Sequence, residues 1–424
     1  MNIRFYNARI LTMEKNRELF MGELWVQNEK ITYVGEAKDA SSVKWDKEID
    51  AKGNVLMPGF KNAHTHSAMT GMRSLADDLP LLEWLEQQIF PIEGKMKPED
   101  VYELTRLAVM EYLTSGITSI YEMYLEPEAI AKACQDTGMR LVQTSGINKF
   151  GPTIEVLEER FLKLNDGNPL TSFTLGFHAE YTCTKELLEQ IAALAHKYQA
   201  PIFTHNSETV EETRGCIERY GMTPTKFLDS LGMFDYGGGG YHCVHFNDED
   251  IEIFKKRNMT VVTNPGSNTK LASGIAPIQK FLDAGLNVAI GTDGPSSNNC
   301  LDMFREMFLV TGLAKLQTKN AAAVDAIQVL EMATVGGAKA MGLSDCDVLA
   351  EGKLADVIMI DLHQPNMQPL NNIVKNIVYS GSKQNIKMTM IHGKILYENG
   401  VYNIGVDPEE VYRKSNEVMD RLKK

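Results

Sequence analysis

Between residues 57 and 345 the chain repeats one unit: a short apolar or β-branched run that reads as a strand, then a segment with apolar residues at helical spacing. The strand-like runs fall at 60–66, 118–123, 140–146, 173–179, 201–206, 240–245, 260–264 and 288–293. Helix-period segments such as 98–115, 184–198, 248–257 and 277–284 lie between most of them. Eight strands alternating with helices predict an α/β fold, a parallel (β/α)8 TIM-type barrel, whose chemistry gathers where the strands end. Further strand-like runs flank this block, at 3–13, 23–35 and 43–50 before it and at 355–361, 373–379, 387–392 and 394–397 after it. They predict a small β-sandwich domain assembled from both termini, residues 1–56 and 346–406, beside a catalytic barrel over 57–345. Residues 407–424 read as a C-terminal helix, with Asp407 before Pro408, Glu409 and Glu410 in the first turn, and Arg421, Lys423 and Lys424 late.

That architecture says where to look for reactive groups. The first strand ends in His64 and His66, which lie two apart and therefore on one face. The fourth ends in His178, the fifth in His205, the sixth in His242 with His245 close by, and the eighth in Asp293. Nine histidines occur in the chain; the other three, His196, His363 and His392, fall in a helix, a loop and a terminal strand. Imidazoles joined by a carboxylate suit one divalent ion, zinc first, with iron or manganese as alternatives. His242 and His245 are three apart, so on a strand only one faces the site, and His242 is taken. Such an ion lowers the pKa of water toward neutrality. Asp293 is placed to take the water proton, and Glu208, three residues after His205, to act as general acid and base. Glu208 also fits a plain first-turn acid favoured by the helix dipole. The set points to hydrolysis at an electrophilic carbon without choosing the carbon.

Composition narrows the partners. The formal net charge of −13 argues against nucleic acid or an anionic membrane surface, both of which need clustered cations. No run of about 18 apolar residues without charge occurs, so no membrane helix is expected. Six scattered cysteines with no Cys-x-x-Cys read as reduced thiols in a cytoplasmic chain. A small-molecule substrate remains.

The motifs resemble those of the amidohydrolase superfamily, most closely the mononuclear-metal deaminases of the 5'-methylthioadenosine/S-adenosylhomocysteine deaminase group. They include Pro-Gly-Phe-x-Asn-x-His-x-His at 58–66, Leu-x-x-Trp-Leu through Phe-Pro-Ile-Glu at 81–93, His-Ala-x-Tyr-Thr-Cys at 178–183 and His-x-x-Glu at 205–208. They continue with His-Cys-Val-His at 242–245, Asn-Pro-x-Ser-Asn-x-Lys-Leu at 264–271 and Gly-Thr-Asp-Gly-x-x-Ser-Asn-Asn at 291–299. The resemblance implies His64, His66, His205 and Asp293 as metal ligands and His242 as the histidine that holds the attacking water. It implies Glu208 as proton shuttle to the purine N1, Glu93 as acceptor for the ribose hydroxyls, and His178 and Trp84 as further substrate contacts. The implied reaction converts an adenosine-type nucleoside to its inosine analogue and ammonia; a homodimer or tetramer is implied as well.

Three positions depart from the pattern. Ser145 stands where members that accept S-adenosylhomocysteine usually carry arginine, and no arginine lies in 141–159. An unpaired buried carboxylate is costly, so a neutral 5' group is expected, as in 5'-methylthioadenosine, 5'-deoxyadenosine or adenosine, ahead of S-adenosylhomocysteine. Glu180 replaces a usual proline and Thr263 a common histidine, and both are expected to reshape the pocket. The alternative reading is hydrolysis of another heterocycle, guanine, a pterin or an s-triazine, on the same fold.

Overall fold

The computed structural model describes residues 1–79, 81–165 and 167–424. Its centre is an eight-stranded parallel sheet of β1 (Phe60–Thr65), β2 (Ile117–Met123), β3 (Arg140–Thr144), β4 (Thr171–Ala179), β5 (Ile202–Asn206), β6 (Gly238–His242), β7 (Thr260–Thr263) and β8 (Asn287–Ile290). The strands are hydrogen-bonded in sequence order, so all eight predicted strands join one barrel. Closure is local and specific. Thr65 bridges to Asp293 in parallel, Asp293 N–H donates to the His64 carbonyl at 3.0 Å, and Asn62 clasps Thr292 through two side-chain bonds of 2.7 and 2.9 Å. First and last strands therefore meet at the residues that carry reactive groups. Inside, Ala63, Tyr121, Val142, Phe203, Tyr241, Val262 and Ala289 pack against one another, a filled interior rather than a pore.

Strands from both termini form a separate nine-stranded sheet. Asn2–Ile10, Phe20–Gln27, Lys30–Gly35, Lys47–Asp50 and Val55–Pro58 come from the N-terminal side, and Val357–Ile360, Ile386–Ile391, Lys394–Glu398 and Val401–Tyr402 from the C-terminal side. The seam is Val55–Pro58, antiparallel to Val357–Ile360 and parallel to part of Asn2–Ile10. Ile3, Phe5, Leu24, Val26, Val357 and Met388 share its apolar core.

Residues 373–379, expected as a strand, are instead the helix Ile373–Tyr379. The β-branched composition suggested extension, but the apolar residues recur at helical spacing, with Ile377 and Val378 buried, and the Asn372 side chain caps the first turn by accepting from Lys375 N–H at 2.9 Å. The terminal helix spans Pro408–Leu422, with the Asp407 carboxylate accepting from Glu409 N–H at 3.1 Å. Among the described residues no helix is long and apolar enough to cross a membrane.

Candidate metal centre and active site

The C-terminal ends of β1, β5 and β8 bring His64, His66, His205 and Asp293 together, with one ligand-type atom from each lying within 4.8 Å of the others. Asp293 Oδ1 stands 3.3 Å from His64 Nε2 and 3.1 Å from His66 Nε2, and His64 Nε2 faces His205 Nε2 at 3.1 Å. The outer nitrogens explain why these rings point inward. His205 Nδ1–H donates to the His178 carbonyl at 2.7 Å, and His66 Nδ1–H donates to the Met123 carbonyl. Each bond leaves the Nε2 lone pair aimed at the cluster centre. Lone pairs and a carboxylate that converge this way repel one another unless a cation sits among them, so the donor set fits a single divalent ion.

The environment supports the same charge balance. Burial alone would raise the Asp293 carboxyl; the close approach of the His64 and His66 rings outweighs it and holds the group well below the ordinary carboxylate range. Its Oδ2 accepts from Ser267 Oγ at 2.6 Å and Ser297 Oγ at 3.0 Å. Burial, reinforced by the neighbouring rings, drives His205 well below the usual histidine value, so it stays neutral and able to ligate. Gly291 makes room here, because a Cβ at that position would stand 2.8 Å from His64 Cβ.

Around the cluster lies a cavity of about 440 Å3, lined among others by His66, His178, His205, Glu208, His242 and Asp293. His242 Nδ1–H donates to Asn268 Oδ1 at 2.7 Å, leaving Nε2 free toward Glu208 Oε2 at 3.8 Å and Asp293 Oδ2 at 4.0 Å. Glu208 Oε1 accepts from Ser273 Oγ at 3.2 Å, and burial raises its carboxyl above the ordinary range. His245 turns away and bonds the Ser273 carbonyl at 2.8 Å. Several of these residues sit in left-handed backbone, Ser207 at φ 52°, His242 at φ 72° and Asp293 at φ 58°. Such strain clusters where function aims side chains.

The remaining sequence-predicted residues reach the cavity from other elements. His178, at the end of β4, lines it with Nδ1 3.1 Å from Thr182 Oγ1, and burial lowers its pKa to about 4. Trp84 and Glu93 line it from the segment after β1. The Trp84 Nε1–H is buried and has no hydrogen-bond partner among the described residues. Glu93 is half-buried beside Tyr124, and burial raises its carboxyl while the Tyr124 hydroxyl opposes the rise.

The three departures part company. Ser145 lines the cavity, whereas the side chains of Glu180 and Thr263 form no part of its wall. The buried Glu180 pairs with the partly exposed Arg219 at 2.6 Å, and Thr263 faces a small apolar space with Pro265 and Ile278. Arg160, just beyond 141–159, does reach the cavity wall, where its Nε lies 3.2 Å from Glu128 Oε1.

Sequence reasoning passed over Ser267 and Asn268, which hold Asp293 and His242, and Glu212, whose carboxylate accepts from Ser207 N–H at 3.0 Å and Glu208 N–H at 2.7 Å. Ser267 and Asn268 lie inside the Asn-Pro-x-Ser-Asn motif, and Glu212 stands one helical turn after Glu208; both signals were legible without their partners.

The chain resembles known proteins over most of its length. Residues 55–396 match the amidohydrolase family. A 5-methylthioadenosine/S-adenosylhomocysteine deaminase of Desulforamulus reducens is 41% identical over 425 residues, covering 98% of each chain. A 5'-deoxyadenosine deaminase of Methanosarcina acetivorans is 40% identical over 427 residues, covering 98% of this chain and 97% of that one. The crystal structure of an adenosine deaminase from Xanthomonas campestris with bound zinc superposes with a TM-score of 0.93 at 31% identity, covering 100% of this chain and 98% of that one.

Proposed function

This chain belongs to the amidohydrolase family, and from that membership we infer a metal-dependent hydrolytic deaminase that converts an adenosine-type nucleoside to its inosine analogue and ammonia. The observation that carries the reading is the convergence of His64, His66, His205 and Asp293 on one point, with Glu208 and His242 facing the same cavity. We take zinc as the ion, because nitrogen-rich sets with one carboxylate suit it and the Xanthomonas relative binds it. When bound, the ion supplies Lewis acidity that makes hydroxide available near neutral pH.

The protein's own groups do the rest. His242 Nε2, its tautomer set by Asn268, accepts a hydrogen bond from the attacking water and orients it toward C6. Asp293 takes the first water proton. Glu208, whose affinity for a proton burial raises, delivers a proton to N1 as the oxygen–C6 bond forms and the ring loses aromaticity. The C6–N6 bond then breaks; the amine leaves as ammonia with the proton passed from Asp293, while the hydroxyl proton on C6 returns to Glu208. Both water protons are thereby accounted for, one on N1 and one on ammonia.

Recognition of the sugar falls to Glu93, which accepts from the ribose hydroxyls, and to Trp84, whose unpartnered Nε1–H offers a donor to the ligand. His178 lies against the base. A neutral 5' substituent is favoured, since Ser145 provides no cation and Arg160 is already paired with Glu128. 5'-Methylthioadenosine, 5'-deoxyadenosine and adenosine therefore stand ahead of S-adenosylhomocysteine. The test is ammonia release by metal-assayed protein across those four nucleosides, free adenine, guanine and an s-triazine. Neutral adenosines should lead, and Glu93→Ala should impair nucleosides selectively; turnover of free bases or triazines alone would refute the ribose assignment.

A further inference from the structure

The terminal helix Pro408–Leu422 has no part in the chemistry above, yet it lies behind the segment that carries Trp84 and Glu93. That segment is built from short pieces: a helical turn at Leu81–Trp84, a π-helical turn at Leu85–Ile89 and another turn at Phe90–Glu93. Pieces this short do not hold themselves in water, and π-turns recur at functional sites because they are locally unfavourable. None of the residues Phe90–Glu93 is buried. Among the described residues of the arm, Ile92 is partly buried, and Trp84, Leu85 and Ile89 are buried.

Those three share one apolar cluster with Met69, Met419 and Leu422. Met69, Trp84 and Leu85 also line the catalytic cavity, so the cluster has substrate space on one side and the terminal helix on the other. The helix also packs closely on the turn Ser67–Met72, where a Cβ on Gly71 would stand 2.6 Å from Met419 Sδ. Polar ties continue past Glu93. Lys95 Nζ donates to the Leu422 carbonyl at 3.2 Å, Arg421 pairs with Asp100, and Lys414 lies 3.1 Å from Glu103.

We propose that the helix Pro408–Leu422 is a positioning element of the nucleoside site, anchoring residues 81–93 through Met419 and Leu422 so that Trp84 and Glu93 stand at the ribose. The inference rests on the ribose assignment made above. It separates two halves of the active site: the metal cluster is held by barrel strands, the sugar contacts by the end of the chain.

The experiment compares the full-length protein with the Met419→Ala/Leu422→Ala double variant and with Lys95→Ala, an exposed site that spares the core if the double variant fails to fold. Hydrogen–deuterium exchange is followed over 81–96 and over 202–208, together with bound metal and steady-state kinetics on adenosine. Exchange should quicken over 81–96 alone, metal content should hold, and KM should rise about tenfold in the double variant, and less in Lys95→Ala, with kcat little changed, the mark of lost ground-state binding. Unchanged exchange over 81–96, or exchange that quickens equally over 202–208, would overturn the anchoring role of the helix. Faster exchange over 81–96 with unchanged KM would overturn the proposal through the ribose assignment instead, and failure of the unmodified protein to release ammonia from any nucleoside would sink the functional reading on which it rests.

Discussion

The two ends of the barrel bury charge in opposite ways. At the N-terminal end of β3, Arg140 grips Asp356 through two bonds of 2.7 and 2.9 Å, its third group donates to the Pro169 carbonyl at 3.0 Å, and Asp356 accepts from His392 N–H at 2.8 Å. The two charges of that pair answer each other, and the pair ties barrel to terminal sheet. At the C-terminal end the imidazoles of His64 and His205 face each other, a carboxylate serves two rings at once, and Glu208 is left with a raised affinity for its proton. Charges satisfied by the protein make a joint; charges left for something else make a site.

Substitutions sharpen that contrast. His64→Ala or Asp293→Asn should abolish turnover, by at least about 10⁴-fold since the site acts as a unit, and purified protein should lose its metal while circular dichroism stays unchanged; full metal content with near-normal activity would break the assignment. Removing the ion with a chelator should have the same effect, reversed by adding zinc. Glu208→Gln should retain the ion and lower kcat by about 10²–10⁴, measured as ammonia release at saturating nucleoside. Asn268→Leu, which frees the His242 tautomer, should cost about 10–100-fold, in the range of outer-shell partners. Arg140→Met belongs to the other end: it should leave kcat unaltered at 25 °C yet cost about 3–5 kcal/mol of stability by stranding Asp356, read from denaturant unfolding.

The joint also has a pH signature. Burial would raise the Asp356 carboxyl, but the charge and hydrogen bonds of Arg140 outweigh it and lower the pKa from 3.8 to about 2. Its stabilising contribution is therefore complete above the unfolded value and lost as pH falls through the folded one. Arg140→Met should flatten the stability profile between roughly pH 4 and 2; an unchanged slope there would show that the pair does not set acid stability.

Much of this was legible in the chain. The eight strands were readable because each is a short apolar run between helix-period segments, and the histidines stood out because they recur at strand ends. Where reading failed, the reason was a competing local signal or a missing partner. Residues 373–379 carry strand-like residue types at helical spacing, and the spacing won once Asn372 capped the turn. Glu180 stood out because it replaces a usual proline, but its partner Arg219 lies on a helix 39 residues on. Ser267, Asn268 and Glu212 were visible as residue types, yet a hydroxyl, an amide and a carboxylate declare no role until the group they bond is known.

The sequence by itself determined the periodicities, hence the barrel, and the residue types at strand ends, hence a cationic centre and hydrolytic chemistry, because alternation and i, i+2 spacing are local properties of the backbone. Only the tertiary structure decided which nitrogen of each histidine faces inward, that Glu180 and Thr263 stand off the cavity wall, and that the terminal helix shares an apolar cluster with Trp84. Those are statements about groups far apart in sequence and a few ångströms apart in space, which the packing of the whole chain sets.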